Sequence, residues 1–172
     1  MPVPPSTYPH DGSEAQRIWL DEIGIEIGKL TARGGLPLPD DFVCDYSPDS
    51  LPVLENAALA YQAQPGGASS IDLYLRGLGA YLGETILFTA GGHWERSAHE
   101  DDDPAVIVDP VHKAGPVYVC DIVRRALAEG TGEVFAEEHG WMQIAADAQR
   151  VKDPSWRPVK AEDGIQRPRE RA

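Results

Sequence analysis

The chain contains little sulfur and no long apolar run, and each shortage excludes a class of protein. Two of its 172 residues are cysteines, Cys44 and Cys120, which lie far apart and among apolar neighbours. Since no C-x-x-C spacing occurs, a disulfide framework or a zinc ribbon is disfavoured, and two reduced, buried thiols are expected. No stretch of eighteen apolar residues occurs, so the sequence predicts no membrane-spanning helix and no membrane partner.

The sequence predicts no export signal and has no excess of basic residues. It begins Met-Pro-Val-Pro-Pro, which is not a basic region followed by an apolar one, and this favours a cytoplasmic protein. The formal net charge is −13. Because phosphate contacts need a basic patch, nucleic acid is not an expected partner. An acidic body instead permits a basic protein partner, which electrostatic steering would attract.

Proline content and charge divide the chain into three parts. Residues 1–12 are rich in proline, which predicts a disordered N-terminal segment. Residues 13–150 carry apolar periodicity over a length that suits one core, which predicts a single α+β domain. Residues 151–172 contain three prolines and an excess of basic residues, so we expect a flexible, charged tail. Trp156 is the side chain there that is suited to anchor the tail on the body.

Hydrophobic periodicity predicts helices packed on a small, mostly antiparallel β-sheet, which is an α+β fold. The predicted helices span 13–33, 50–63, 69–89, 122–129 and 133–150, and the predicted strands span 41–46, 93–96 and 105–109. The last two strands form a hairpin, and its tip is a long acidic loop.

Three glycines interrupt the apolar face of the third predicted helix. Each of Gly77, Gly79 and Gly83 costs up to ~1 kcal/mol relative to alanine in a helix interior. Because Gly79 and Gly83 lie on one face, we expect another element to pack tightly against them. A phosphate-binding loop is the alternative, but no strand and loop precede these glycines.

The segment 80–94, A-Y-L-G-E-T-I-L-F-T-A-G-G-H-W, joins the end of that helix to a strand and holds the strongest candidates for a functional motif. Glu84 lies among apolar neighbours, and buried carboxylates are candidates for acid–base chemistry. Together with Trp94 as a stacking surface and His93, it defines a candidate pocket. Alternatively, Glu84 bonds to the turn that follows its helix or pairs with Arg76 or Arg96. The candidate motif comprises Tyr81, Gly83, Glu84, Gly91, Gly92, His93 and Trp94.

The hairpin loop carries the densest group of ligand-type side chains. It lacks the alternating oxygen ligands and turn glycine of a calcium loop, and a loop is a poor scaffold for zinc. No G-x-S-x-G elbow occurs either, so the sequence predicts no metal, no cofactor and no catalytic residue. A solvated acidic tip is expected, and it is the candidate interaction surface. Its members are Glu100, Asp101, Asp102 and Asp103.

Three segments carry a family resemblance: D-Y-S-P-D-S-L-P-V-L-E at 45–55, Y-L-G-E at 81–84 and G-G-H-W at 91–94. They resemble a pattern in small bacterial domains of unknown function that are abundant in actinobacteria. Some small toxin-immunity proteins show a similar helix-then-hairpin order. The resemblance covers about residues 40–130, implies an α+β fold and carries no catalytic residue.

Two classes of function follow from these observations. The first is a non-catalytic interaction protein, such as an immunity-type inhibitor or an adaptor, that uses an acidic surface; the absence of a catalytic constellation favours it. The alternative is an enzyme or small-ligand binder with a pocket around Glu84, His93 and Trp94.

Overall fold

Helices account for most of the described residues, and a small sheet covers part of them. The computed structural model describes residues 12–96 and 103–161, and over these residues the predicted α+β fold is confirmed. The helices are α1 (Gly12–Thr31), α2 (Ser50–Gln62), α3 (Gly67–Ser70), α4 (Leu75–Ala90), α5 (Val119–Glu129) and α6 (Val134–Lys152), with 3₁₀ turns at Ile71–Tyr74 and Asp109–Ala114. The strands are β1 (Gly92–Glu95), β2 (Ala105–Val108), β3 (Val117–Tyr118) and β4 (Lys160–Ala161). None of the described helices has the length and apolarity needed to cross a bilayer.

The sheet has the strand order β3-β2-β1-β4 and is mixed. β1 and β2 form the predicted antiparallel hairpin, with Gly92 opposite Val108, and β3 pairs antiparallel with β2. β4 runs parallel to β1, with Gly92 beside Lys160. The expectation of a mostly antiparallel sheet is therefore wrong in this respect. The connection from β1 to β4 is long and includes α5 and α6, and two parallel strands need such a long connection.

Helix α4 is the centre of the core. All its residues from Gly77 to Leu87 are buried, and α1, α5, α6 and the hairpin pack around it. A helix segment that is apolar on nearly every side is stable only when neighbours cover those sides, and from Gly77 to Leu87 they do.

The glycines of α4 are the points where neighbouring elements come closest. A Cβ at Gly77 would lie 2.4 Å from the carbonyl oxygen of Glu26 in α1. At Gly79 it would lie 3.1 Å from Cys120 Sγ, and at Gly83 it would lie 2.2 Å from Cη2 of Trp94. The expected tight packing at Gly79 and Gly83 is confirmed. Burial against α4 also raises the pKa of the Cys120 thiol to about 12, so this thiol stays protonated and unreactive.

The segment predicted as a strand at 41–46 has no strand neighbour in the described structure. Its burial alternates, with Phe42, Cys44 and Tyr46 turned inward and the residues between them exposed. The inward rings pack on Tyr81 of α4, and the Tyr46 N–H donates to Tyr81 Oη at 3.1 Å. The predicted alternation of inward and exposed residues is confirmed, but the predicted strand is wrong. Alternation shows that one side of a segment is buried, and it does not show what that side packs against.

The helix predicted over 69–89 is divided into α3, a 3₁₀ turn and α4. The turn at Ile71–Tyr74 buries Ile71 and Tyr74 on the core side. Short 3₁₀ stretches commonly connect helices in this way, and periodicity alone does not distinguish them from a continuous helix.

The packed body extends beyond the boundary predicted at residue 150. Trp156 is buried, and the guanidinium of Arg150 lies 5.4 Å from its ring centroid. Lys160 and Ala161 then form β4. Residues 151–161 of the predicted tail therefore lie on the body, and residues 162–172 lie outside the described residues. Of the predicted disordered segment 1–12, residues 1–11 also lie outside the described residues, whereas Gly12 is the first residue of α1.

Helix α6 begins on a carboxylate supplied by α2. The N–H groups of Val134 and Phe135 donate to the buried carboxylate of Glu55 at 3.2 and 2.8 Å. First-turn N–H groups have no partner within their own helix, and they carry the positive end of its dipole. Glu55 thus satisfies these donors and fixes the contact between α2 and α6.

Replacing Gly83 with alanine tests the close approach of Trp94. We expect Gly83→Ala to lower the free energy of unfolding by about 1–3 kcal/mol or more, because the new Cβ overlaps the indole. Gly24→Ala on α1 is the matched control, since nothing lies within 4 Å of its Cβ. We expect the control to gain up to about 1 kcal/mol from helix propensity. Urea unfolding measures both, and similar effects in the two variants would contradict the packing.

We expect His139 to make the stability of the fold depend on pH. Its Nε2 lies 2.7 Å from Thr89 Oγ1 at the contact between α4 and α6, and burial lowers its pKa below 6.5. The unfolded chain therefore binds a proton that the folded chain does not, and the free energy of unfolding should rise with pH across the interval below 6.5.

Urea unfolding at about pH 5.5 and 7.5 measures this rise. His139→Gln should reduce the difference between the two pH values, whereas His112→Gln, at an exposed position, should preserve it. An unchanged pH dependence in His139→Gln would show that another group is responsible.

Candidate functional site

Both carboxylate oxygens of Glu84 are occupied by other side chains. Trp94 Nε1 donates to Oε1 at 2.7 Å, and Lys160 Nζ donates to Oε2 at 2.5 Å. The carboxylate is almost fully buried, and the lysine remains partly exposed. The predicted alternatives, a bond to the turn or a pair with an arginine, are replaced by these two partners. Glu84 therefore connects α4 to β1 and β4.

Trp94, the donor to Glu84 Oε1, lies in the core. Its ring is fully buried against Gly83 and meets the Trp19 ring edge to face, with centroids 5.3 Å apart. The Trp94 carbonyl accepts a hydrogen bond from Gln16 Nε2 of α1. The indole is a packing element, and none of its surface is left to stack on a ligand.

The turn between α4 and β1 requires glycine for two reasons. Gly91 and Gly92 have φ values of +71° and +128°, which L side chains rarely adopt. A Cβ at Gly92 would also lie 1.9 Å from the carbonyl oxygen of Ile107, and one at Gly91 would lie 2.8 Å from Val159 N. The two glycines therefore allow β1 to begin in close contact with the backbones of Ile107 and Val159.

His93 lies on the other face of β1 from Trp94, because successive side chains of a strand alternate. In register it lies between Ile107 of β2 and Ala161 of β4. The structure therefore does not bring Glu84, His93 and Trp94 together around one pocket. Glu84 and Trp94 share a hydrogen bond, and His93 is separated from them by the sheet.

Tyr81 links the first segment of the family resemblance to the second. Its hydroxyl accepts from the Tyr46 N–H and lies 2.8 Å from Ser50 Oγ. Gly83 and Glu84 in turn contact Trp94 of the third segment. The three segments are thus one packing unit across α2, α4 and β1, and they are not a set of groups aimed at a substrate.

The acidic hairpin tip lies largely outside the described residues. Glu100, Asp101 and Asp102 are not described, so this surface stays a prediction. Asp103 is described, and its carboxylate lies 2.8 Å from the guanidinium of Arg124. Asp103 therefore ties the base of the hairpin to α5 and is not a solvated part of the tip.

A surface that the sequence analysis did not identify lies beside the Glu84 pair. Tyr46 is the one described residue other than glycine with a positive φ, at +54°. Its ring packs on Tyr81 and lies 5.4 Å from the ring of Phe88, which is 52% exposed. Lys160 Nζ lies 5.6 Å from the Phe88 centroid. Phe88 is apolar and lies in the predicted helix 69–89, and the sequence does not show that its ring is exposed.

Exposed carboxylates occur on the same segment as Tyr46. Asp41, Asp45 and Asp49 are exposed along the segment that holds Tyr46, and none of the ion pairs found among the described residues involves them. The Ser47 side chain and N–H stabilise the ionised form of Asp45 and lower its pKa. We call this set, Tyr46, Phe88, Asp41, Asp45 and Asp49, the Tyr46–Phe88 surface.

Comparison with models of protein families, with curated proteins and with solved structures finds no match for this chain. The family resemblance therefore stays a prediction. Within residues 12–96 and 103–161, no three His, Cys, Asp or Glu side chains are grouped so that they could hold a metal ion.

Replacing Trp94 with phenylalanine tests the junction at Glu84. We expect Trp94→Phe to lower the free energy of unfolding by about 1–3 kcal/mol, because a buried carboxylate oxygen loses its donor. Trp141→Phe is the matched control, since this tryptophan is 67% exposed, and no change is expected there. Chemical unfolding followed by circular dichroism compares the two, and equal stabilities would refute the structural role of the indole N–H.

Proposed function

We propose that the protein is a non-catalytic interaction module, of the immunity-protein or adaptor kind, which binds a basic protein through the Tyr46–Phe88 surface. The observation that carries this proposal is the exposed Phe88 ring, packed on Tyr46, whose segment carries exposed carboxylates that take part in none of the described ion pairs. Protein interfaces commonly combine an aromatic anchor with a polar rim.

The backbone at Tyr46 supports a role for this surface. A residue other than glycine in the left-handed region costs of order 1–3 kcal/mol and persists when its surroundings enforce it. Here the Tyr81 hydroxyl accepts the Tyr46 N–H, and the two rings pack at 4.9 Å between centroids. This arrangement holds the Tyr46 ring next to Phe88, with 5.4 Å between the ring centroids. An aromatic surface that is held in place before a partner binds loses less entropy on binding.

The charge of the surface indicates the chemistry of the partner. Asp41, Asp45 and Asp49 are exposed in a protein of net charge −13. A basic partner would gain both long-range attraction and contacts with carboxylates that lack a basic neighbour in the described ion pairs. Electrostatic steering of this kind raises the association rate and weakens as salt screens the charges.

The enzyme or ligand-binder alternative has less support. It needs Glu84, His93 and Trp94 around one cavity, but Glu84 is occupied by Trp94 and Lys160. His93 lies on the opposite face of the sheet. These positions favour a structural role for Glu84 and Trp94 over a role in binding a ligand.

Phe88→Ser tests the proposed surface directly. The immobilised full chain is used at low salt to capture partners from a bacterial lysate, and a captured basic protein is then purified for binding measurements. We expect Phe88→Ser to weaken its binding by at least about 10-fold, as loss of an aromatic anchor does. Leu73→Ser is the matched control, because Leu73 is 69% exposed and lies on the 3₁₀ turn before α4.

Salt dependence gives a second readout. We expect the association rate of that partner to fall several-fold between about 0.05 and 0.5 M salt, and Asp45→Asn to reduce this dependence. The proposal fails if no protein is captured whose binding depends on Phe88 and not on Leu73. It also fails if the partner so found is acidic.

A further inference from the structure

A second apolar surface lies on the outer face of α6. Trp141, Ile144 and Val151 are 67%, 61% and 82% exposed, and the exposed Ala148 lies between the last two. Their alternating spacing of three and four residues places all four on one side of the helix, as in the seam of a coiled coil. The helix therefore presents a continuous apolar stripe to solvent.

This stripe is not part of the core contact of α6. The helix packs on the body through Phe135, His139 and Ala146, which lie on the opposite side. We call the four exposed residues, Trp141, Ile144, Ala148 and Val151, the α6 stripe. It shares no residue with the Tyr46–Phe88 surface, so its role is independent of the function proposed above.

Charges at the two ends of the α6 stripe have opposite signs. Glu137 is exposed before the stripe, and Lys152 is exposed after it. Neither forms one of the ion pairs among the described residues, whereas Asp147 at the edge of the stripe pairs with Arg150 at 2.7 Å. Glu137 and Lys152 lie at nearly equal distances from Ile144, roughly 11 Å at the rise of an α-helix.

We propose that the α6 stripe binds the same stripe of a second copy of this chain, with the two helices antiparallel about a two-fold axis near Ile144. In this arrangement Glu137 lies beside Lys152 of the partner subunit at both ends, and the two helix dipoles oppose each other. A parallel pair would bring Glu137 beside Glu137 and Lys152 beside Lys152. The charge pattern therefore selects the antiparallel, two-fold arrangement.

The sizes of the side chains fit the same arrangement. Trp141 of one copy meets the region of Ala148 of the partner subunit, so a large residue faces a small one. The chain's own segment after Ala161 is a poorer occupant, because it contains one large apolar side chain, Ile165. A single helix pair buries less than the ~1,600 Å² of a standard interface, so we expect a dissociation constant of roughly micromolar order.

Sedimentation velocity of the full chain tests the dimer. At about 0.15 M salt, where the screening length is about 8 Å, the wild-type chain should convert from monomer to dimer between about 1 and 300 μM. Ile144→Asp should remain monomeric over this range. Leu73→Asp, at an exposed apolar position on another element, should behave as the wild type. Circular dichroism checks that each variant is folded.

Charge reversal tests the antiparallel arrangement. Glu137→Lys and Lys152→Glu should each weaken dimerisation by roughly 3- to 10-fold, because like charges then meet at both ends. The double variant should restore wild-type affinity, since the pairs re-form with their signs exchanged. A wild-type chain that stays monomeric at the highest concentration overturns the proposal, and the stripe is then left for a different protein. A dimer that survives Ile144→Asp, or one that the single charge reversals leave unchanged, overturns it as well.

Discussion

The hydrogen bonds that Glu84 accepts from Trp94 and Lys160 join the central helix to two strands of the sheet, one of them far along the chain. Lys160 lies 76 residues after Glu84, and its strand closes one edge of the sheet. A carboxylate taken out of water is strongly destabilising unless its oxygens find donors. Because both oxygens do so here, the central helix, the hairpin and the last described strand hold one another in place.

This junction is possible because α4 has glycines where neighbouring elements come closest. The absence of a side chain at Gly83 leaves room for the indole that reaches Glu84, and the same device admits α1 at Gly77 and α5 at Gly79. Each glycine weakens the isolated helix, but close contact with a neighbour recovers more than that loss. The core is thus built around a helix whose local preference is modest and whose packing is dense.

Some aromatic residues are buried and others are exposed, and this difference bears on function. Trp94 and Tyr81, which the sequence marks as candidates, are buried and bonded within the fold. Phe88 and Trp141, which periodicity does not distinguish from core residues, are exposed. Exposed rings of this kind, beside charge, are the usual material of protein interfaces. The proposed interaction surfaces therefore lie on the outer sides of α4 and α6. Tyr81 and Trp94 of the candidate motif instead belong to the core that positions these helices.

The sequence by itself determined the α+β class, the extents of α1, α2 and α6 to within two residues, the β1–β2 hairpin and the close approach at Gly79 and Gly83. These follow from patterns among residues that are near one another in the chain, where periodicity, caps and glycine costs act. Only the tertiary structure decided that Lys160 is the partner of Glu84, that β4 runs parallel to β1 and that segment 41–46 packs on α4 without joining the sheet. Such pairings depend on which surfaces meet after the chain has folded, and no local pattern encodes the identity of a partner so distant in sequence.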